Sequence, residues 1–97
     1  MNIVKGYLKN GIVVYHGSNS DFYYTLGFGC ICDSCNRKML TTYYYPILGS
    51  RGVCPLCHKE IMKRYGDKEL DGDEEHYQRM LEERFDRRIQ RASVYKR

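Results

Sequence analysis

Two Cys-x-x-Cys pairs constrain this chain more than any other feature of its sequence. The first pair is Cys32 and Cys35, the second is Cys54 and Cys57, and eighteen residues separate them. Zinc in structural sites takes four ligands in a tetrahedron, and each Cys-x-x-Cys turn supplies two sulfurs. The spacing therefore predicts one structural Zn²⁺ ion held by all four cysteines, with no coordination position left for a catalytic water.

The length of the chain makes such a site important for folding. A chain of 97 residues buries only a little more than about 60% of its unfolded surface, so its hydrophobic core is small. Structural zinc contributes about 10–16 kcal/mol of apparent binding free energy, which is also folding free energy. We therefore expect the centre of the chain to fold only with metal.

The cysteine count and the N-terminal sequence indicate the cellular compartment in which the protein works. Five cysteines are an odd number, and their Cys-x-x-Cys pairing favours metal-bound thiolates in a reducing compartment over disulfides. The N-terminus lacks the apolar core of a secretory signal, and no apolar run approaches the roughly 20 residues that span a membrane. We expect a cytoplasmic protein with no membrane partner.

The charge is concentrated on the cysteine-rich segment. Residues 30–66 hold six Lys or Arg against Asp33 and Glu60. Four thiolates around a divalent ion carry a net charge of −2, which leaves about +2 of the formal +4. This is a mild attraction for a polyanion, weaker than the clustered basic surface of a dedicated nucleic-acid binder.

Residues 1–29 are predicted to form a small antiparallel sheet. Asn10-Gly11 between β-forming runs is a strong hairpin signal. The polar residues 17–21 are typical of a loop, and the aromatic run from Phe22 to Leu26 predicts a third strand. Gly27 and Gly29 allow a sharp turn into the cysteine segment.

Residues 30–65 are predicted to form the zinc module. Met39 to Tyr45 favours a strand, and the glycine-rich turn at 49–52 returns the chain to the second cysteine pair. Residues 59–65 fit either a helix, as in a treble clef, or a strand, as in a zinc ribbon. The sequence alone does not separate these two arrangements.

A C-terminal amphipathic helix completes the predicted α+β fold. Residues 66–72 have the composition of a linker, and Asp71 with Glu74 has the form of a capping box. We expect helix over about 73–92, followed by a basic tail to residue 97, with all parts in one compact domain. The apolar residues recur at helical spacing on one face, at Tyr77, Met80, Leu81, Phe85 and Ile89.

Residues 30–62 resemble small zinc-ribbon and treble-clef proteins. The resemblance is carried by the four cysteines and by the run from Cys54 to Ile61, which is similar to a zinc knuckle. It implies a structural zinc and no catalysis. The second pair also resembles the last ligand pair of a RING domain, but no Cys-x-His cluster lies between Cys35 and Cys54, so we set ubiquitin ligase activity aside.

Two further residues are alternative metal ligands. Cys30 lies two residues before Cys32, and His58 directly follows Cys57. A lone extra cysteine is more often a small buried hydrophobe, and His58 more often points away from the metal. His16, Ser18 and Asp21 have the residue types of a hydrolase triad, but Ser and Asp in a turn usually bond the local backbone, so no catalytic residue is predicted.

Partner binding is predicted from two surfaces. Tyr43 and Tyr45, with Arg37, Lys38 and Arg51 nearby, have the residue types that stack on bases and contact phosphates. The C-terminal stripe packs on its own domain in the usual case, or else binds a partner or a second copy as a homodimer.

The residues together favour a non-enzymatic zinc protein that binds a protein partner as an adaptor, regulator or inhibitor. That partner would be a nucleic-acid-processing enzyme or its complex. Direct nucleic-acid binding by the zinc module is the alternative. Thiol–disulfide exchange by the Cys-x-x-Cys pairs ranks last, because no thioredoxin-like βαβ pattern accompanies them.

Overall fold

The computed structural model describes residues 3–49 and 52–95 as a three-stranded antiparallel sheet with helices on both faces. The predicted α+β class is confirmed. The elements in chain order are β1 (Val4–Tyr7), β2 (Val13–Ser18), α1 (Asn19–Leu26), β3 (Thr41–Tyr44), a 3-10 turn (Pro46–Leu48), α2 (Pro55–Tyr65) and α3 (Gly72–Tyr95). The strands lie in the order β1-β2-β3.

The predicted N-terminal hairpin is confirmed. β1 pairs with β2 in a register that runs from Val4 opposite His16 to Tyr7 opposite Val13. Gly11 takes a φ of +91° in the turn, a conformation that glycine adopts without steric cost. The Asn10 side chain connects this turn to the end of α2 and the residues after it by donating to the backbone carbonyls of Tyr65 at 2.5 Å and Lys68 at 2.6 Å.

The prediction of a third strand over Phe22–Leu26 is wrong, because these residues belong to α1. Ser18 Oγ accepts a hydrogen bond from the backbone N–H of Asp21, which caps the first turn of the helix. Gly27 ends the helix with a φ of +81° and donates to the carbonyl of Tyr23. Two caps on either side of the eight helical residues outweigh the β preference of the aromatic side chains, and the third strand comes from Thr41–Tyr44 instead.

The sheet separates two hydrophobic cores. Successive β2 side chains point to opposite faces. The cysteine-side core contains Ile12, Val14, Cys32, Met39, Tyr45, Val53 and Cys54, and α2 packs against it through Ile61 and Tyr65. The helix-side core contains Val13, Tyr15, Phe22 and Phe85, and joins α1 and α3 to the opposite face.

The start of α3 agrees with the prediction. The Asp71 carboxylate accepts a hydrogen bond of 2.8 Å from the backbone N–H of Glu74, so Asp71 caps the helix as one half of the predicted capping box. Leu70, inside the predicted linker, packs against the cysteine-side core. Across residues 3–49 and 52–95, none of the helices has both the length and the apolar character needed to cross a bilayer.

Two glycines let the cysteine-rich segment approach the sheet closely. Gly29 has a φ of +111°, and a Cβ there would lie 2.6 Å from Cβ of Phe22. A Cβ on Gly52 would lie 2.7 Å from Cγ2 of Thr42. The fully buried Thr42 fills the space between them and donates its hydroxyl to the Gly29 carbonyl at 2.6 Å. These contacts hold both cysteine pairs against β3.

Candidate metal centre

The four predicted cysteines form one cluster. The sulfurs of Cys32, Cys35, Cys54 and Cys57 all lie within 4.8 Å of one another. Cys32 and Cys57 are 3.7 Å apart, as are Cys35 and Cys54. A tetrahedron with Zn–S bonds of about 2.3 Å has edges of about 3.8 Å, whereas a disulfide joins sulfurs at about 2.05 Å. The arrangement therefore fits a four-coordinate metal ion.

Backbone geometry positions each pair. In the first turn, the N–H of Asn36 donates to the Cys32 carbonyl at 2.8 Å, and Asn36 has a φ of +62°. Asparagine tolerates this left-handed conformation better than most residues. In the second turn, Cys54 is the N-cap of α2 and Pro55 is its first residue, a position where proline is favoured.

The environment of Cys32 favours a thiolate. The backbone N–H groups of Cys35 and Cys54 lie 3.5 and 3.3 Å from its sulfur. Burial alone would raise the pKa of the Cys32 thiol, but these donors and the Ser34 N–H lower it to about 6. Metal-binding thiols must be deprotonated, so the backbone prepares this sulfur for a cation.

The residues after the second pair form a helix. α2 covers Pro55–Tyr65. Before it, the Tyr43 N–H of β3 donates to the Val53 carbonyl at 2.9 Å, and the Val53 N–H donates to the Tyr43 carbonyl at 2.8 Å. Of the helix and the strand that the sequence left open for residues 59–65, the structure has the helix.

The two alternative ligands lie outside the cluster. Cys30 is half-buried and is not among the four clustered thiols. His58 Nδ1 lies 2.6 Å from the Tyr45 hydroxyl, and its ring stacks on Tyr43 with centroids 3.8 Å apart. Burial, with a smaller contribution from nearby His16, lowers the pKa of His58.

The predicted nucleic-acid contacts divide into exposed and buried residues. Arg37 and Lys38 are exposed beside the first cysteine pair. Tyr45 is fully buried and Tyr43 packs between His16 and His58, so Tyr45 is not available to stack on a base. Arg51 lies outside the described residues.

The predicted partner face of the C-terminal helix is divided in the same way. Phe85 is buried, and Ile89 packs against the helix-side core. Leu81 is half-buried, while Tyr77 and Met80 are exposed. The greater part of the stripe thus packs on its own domain, which is the usual arrangement for an amphipathic helix.

Sequence patterns gave no sign of the polar network that fastens α3 to the sheet. Lys5 Nζ and the Tyr15 hydroxyl each donate to the Asp86 carboxylate at 2.7 Å, and the Tyr7 hydroxyl donates to Glu82. Burial would lower the pKa of Lys5, but its hydrogen bonds to Asp86 and Glu82 raise it above the ordinary value. These partners are 71 to 81 residues apart, beyond the reach of any local pattern.

The fold and site define an α+β protein with a four-cysteine cluster arranged to hold a metal ion between a knuckle and the start of a helix. No protein-family model, curated protein or solved structure matches the chain.

Proposed function

We propose that the four cysteines bind one structural zinc ion and that the protein works without catalysis, as a module that binds a protein partner. The single observation that carries the metal assignment is the four-sulfur cluster with 3.7 Å edges. Thiolate sulfur is the ligand type that selects zinc and related soft metals, and a tetrahedral four-sulfur site is typical of zinc or iron. Four protein ligands fill the tetrahedron and leave no place for substrate.

The zinc ion would join two segments of the cysteine-rich region. It would link the first turn, at Cys32 and Cys35, to the start of α2, at Cys54 and Cys57. α2 has no fully buried side chain of its own, so hydrophobic burial alone holds it weakly. Metal coordination therefore supplies the missing attachment, and binding free energy becomes folding free energy.

Metal analysis of a matched pair of variants tests this assignment. Wild-type protein is expected to hold one zinc ion per chain, and Cys54→Ser is expected to lose the ion and the folded cysteine-side core. Cys30→Ser removes the one cysteine outside the cluster and is expected to retain both. Full zinc content and unchanged thermal unfolding in Cys54→Ser would contradict the proposal, and iron in place of zinc would change the metal assignment.

Thiol reactivity separates the metal site from a redox site. A disulfide-exchange protein has a reactive low-pKa thiol that exchanges rapidly with a disulfide reagent. In the zinc-loaded protein we expect only Cys30 to react rapidly, and all five thiols to react after chelation. Rapid reaction at Cys32 with zinc still bound would favour the redox alternative.

The preference for a protein partner is supported by where the aromatic side chains lie. Base stacking needs exposed rings, whereas Tyr45 is buried and Tyr43 is stacked on His58. Exposed aliphatic side chains instead accumulate near the first cysteine pair, with Leu40 83% exposed. Apolar surface of this kind favours protein contact.

One observation favours direct nucleic-acid binding as a second candidate. The cysteine side carries exposed cations on the first turn and on α2, at Arg37, Lys38, Lys59, Lys63 and Arg64. Affinity for single- and double-stranded oligonucleotides, measured against salt concentration, distinguishes the two candidates. A steep fall of affinity with rising salt would show several phosphate contacts and favour nucleic acid. Absence of binding at low salt would favour a protein partner.

A further inference from the structure

An exposed apolar patch lies between α1 and the turn that carries Cys32. Its main side chains are Leu40, Tyr23 and Ile31, which are 83%, 52% and 44% exposed. Single exposed hydrophobic residues are ordinary on protein surfaces, whereas a contiguous group marks an interaction site. These three residues line two adjoining hollows.

The two hollows share a wall formed by Cys30 and Ile31. The first hollow, of about 260 Å³, is completed by Asn19, Lys38, Met39 and Leu40. The second hollow, of about 240 Å³, is completed by Tyr23, Gly27, Phe28, Gly29 and Asp33. Both volumes are below the range of about 300–1,000 Å³ that is typical of small-molecule sites. The hollows are sized for inserted side chains.

The two hollows are lined by side chains of opposite charge. Lys38 lines the first and Asp33 lines the second, on either side of the shared wall. Among residues 3–49 and 52–95, neither side chain has a hydrogen bond or an ion pair. The patch thus presents a protruding Leu40 and a cation at one end, and an open hollow and a carboxylate at the other.

We propose that this patch pairs with the same patch on a second copy of the chain, as a two-fold symmetric dimer. In such an interface residue i contacts residue j, and j contacts i in return. A two-fold axis through the shared wall brings the first hollow of each copy over the second hollow of the other. Leu40 then enters the second hollow of the other copy, and Lys38 meets Asp33 twice.

The charge arrangement favours self-pairing at this patch over the C-terminal helix. A patch with a cation at one end and a carboxylate at the other is complementary to itself after a half-turn, which a patch of single-sign charge is not. The C-terminal helix has already placed Phe85 in its own core and Asp86 in its own polar network. The proposed homodimer contact therefore lies at the first cysteine turn and α1, whereas the sequence analysis predicts it at α3.

Solution mass as a function of concentration tests the pairing directly. Zinc-loaded wild-type protein is expected to shift from monomer to dimer in sedimentation equilibrium. Leu40→Glu removes the central apolar contact and is expected to weaken association by at least about tenfold, as for a buried anchor of an interface. Met62→Glu places the same charge on α2, at a side chain that is 45% exposed outside the patch, and is expected to leave the dimer unchanged.

A charge-exchange experiment tests the geometry. Lys38→Glu alone puts carboxylates opposite each other, and Asp33→Lys alone puts cations opposite each other, so each variant is expected to be a monomer. An equal mixture restores both opposite-charge pairs and is expected to form a heterodimer. Lys59→Glu, an exposed residue of α2, is the matched control and is expected to dimerise like wild type.

Cross-linking of unaltered protein keeps the proposal testable if Asp33→Lys, which lies between two ligand cysteines, fails to hold zinc. Cys30 lies in the shared wall, so the two Cys30 thiols of a dimer lie near the symmetry axis. A short bis-maleimide is expected to link two wild-type chains and to leave Cys30→Ser unlinked.

Two results would overturn the self-pairing. One is a zinc-loaded wild-type protein that stays monomeric at every concentration, which would leave the patch to a different protein. The other is a mixture of the two zinc-loaded charge variants that stays monomeric. Zinc content is measured in the same samples, so one ion per chain in a monomer would refute the dimer and support the metal site.

Discussion

The two faces of the sheet are stabilised by different means. The helix-side core rests on large aromatic rings: Phe85 lies 4.4 Å from the Tyr15 ring and 4.5 Å from the Tyr44 ring, measured between centroids. The cysteine-side core contains mostly aliphatic side chains, with one fully buried tyrosine, Tyr45, and two of the clustered cysteines. Hydrophobic packing accounts for the first core, whereas the proposed metal ion would add to the stability of the second.

The comparison shows how a short chain can support two cores. Each face of the sheet has only a few buried residues, too few for two independent hydrophobic cores of ordinary stability. One face compensates with aromatic pairs and charged hydrogen bonds to Asp86 and Glu82. The other would compensate with zinc–thiolate bonds. The two faces should therefore respond differently to the same treatments.

The largest expected effect is that of zinc removal. Structural zinc contributes about 10–16 kcal/mol in small sites, which is comparable to the total stability of a typical domain, about 5–15 kcal/mol. Chelation is therefore expected to abolish hydrogen-exchange protection at Tyr43 and Val53, which bond each other's backbones beside the site. Retention of full protection at both amides in the metal-free protein would contradict the proposed dependence on zinc.

The next effect is on the opposite face. Phe85→Ala removes a side chain that is 2% exposed and is expected to lower the free energy of unfolding by about 3–5 kcal/mol. Zinc stoichiometry of the folded fraction should stay at one, because Phe85 contacts only the helix-side core. Arg84→Ala, an exposed neighbour, is the control and should change stability by less than about 0.5 kcal/mol. Loss of zinc from folded Phe85→Ala would show that the two cores are not separate.

Alkaline pH should weaken both cores through their buried tyrosines. Burial raises the pKa of Tyr15 and of Tyr45, and a hydrogen bond to Asp86 raises that of Tyr15 further. Above pH about 10 the unfolded tyrosines lose protons that the folded ones keep, so stability falls with rising pH. The slope is about 1.4 kcal/mol per pH unit for each such tyrosine.

Denaturant titrations between pH 9 and 11 measure that slope. Tyr15→Phe removes one buried phenol from the helix side, and Tyr45→Phe removes one from the cysteine side. Each substitution removes the contribution of one titrating proton and is expected to reduce the slope by about 1.4 kcal/mol per pH unit. An unchanged slope in either variant would show that its tyrosine ionises equally well in the folded protein.

The smallest effect concerns the α1 cap. Ser18→Ala removes the hydroxyl that accepts from the Asp21 N–H and is expected to cost about 1 kcal/mol of unfolding free energy. Ser20→Ala changes an exposed serine two residues further along the chain and should change the free energy of unfolding little. Equal losses in the two variants would mean that the cap does not stabilise α1.

Local signals were sufficient for much of the fold. Asn10-Gly11 and the Asp71 cap act over three or four residues, and both have the predicted structure. The four clustered cysteines were also predictable, because two Cys-x-x-Cys pairs at this separation are typical of a four-cysteine metal site. In these cases the chemistry that determines the structure lies within a short stretch of chain.

The remaining features depend on contacts between distant residues. β propensity predicts a strand for the aromatic run of α1, but the cap at Ser18 and the stop at Gly27 make it a helix. The burial of Tyr45 depends on its neighbours across the cysteine-side core, including His58. The two hollows depend on the meeting of α1 with the turn after Gly29, which no periodic pattern reveals.

The Lys5–Asp86 and Tyr15–Asp86 contacts join residues that are far apart in the sequence. The two cores can therefore be completed only one after the other during synthesis. Every residue of the cysteine-side core lies between positions 8 and 70, whereas the helix-side core is incomplete until Phe85 has been added. A ribosome therefore releases the first core before the second, at about 5–20 residues per second. Until α3 emerges, the aromatic face of β2 is uncovered, and under the proposed zinc dependence the supply of metal during translation would determine whether the growing chain already has one folded core.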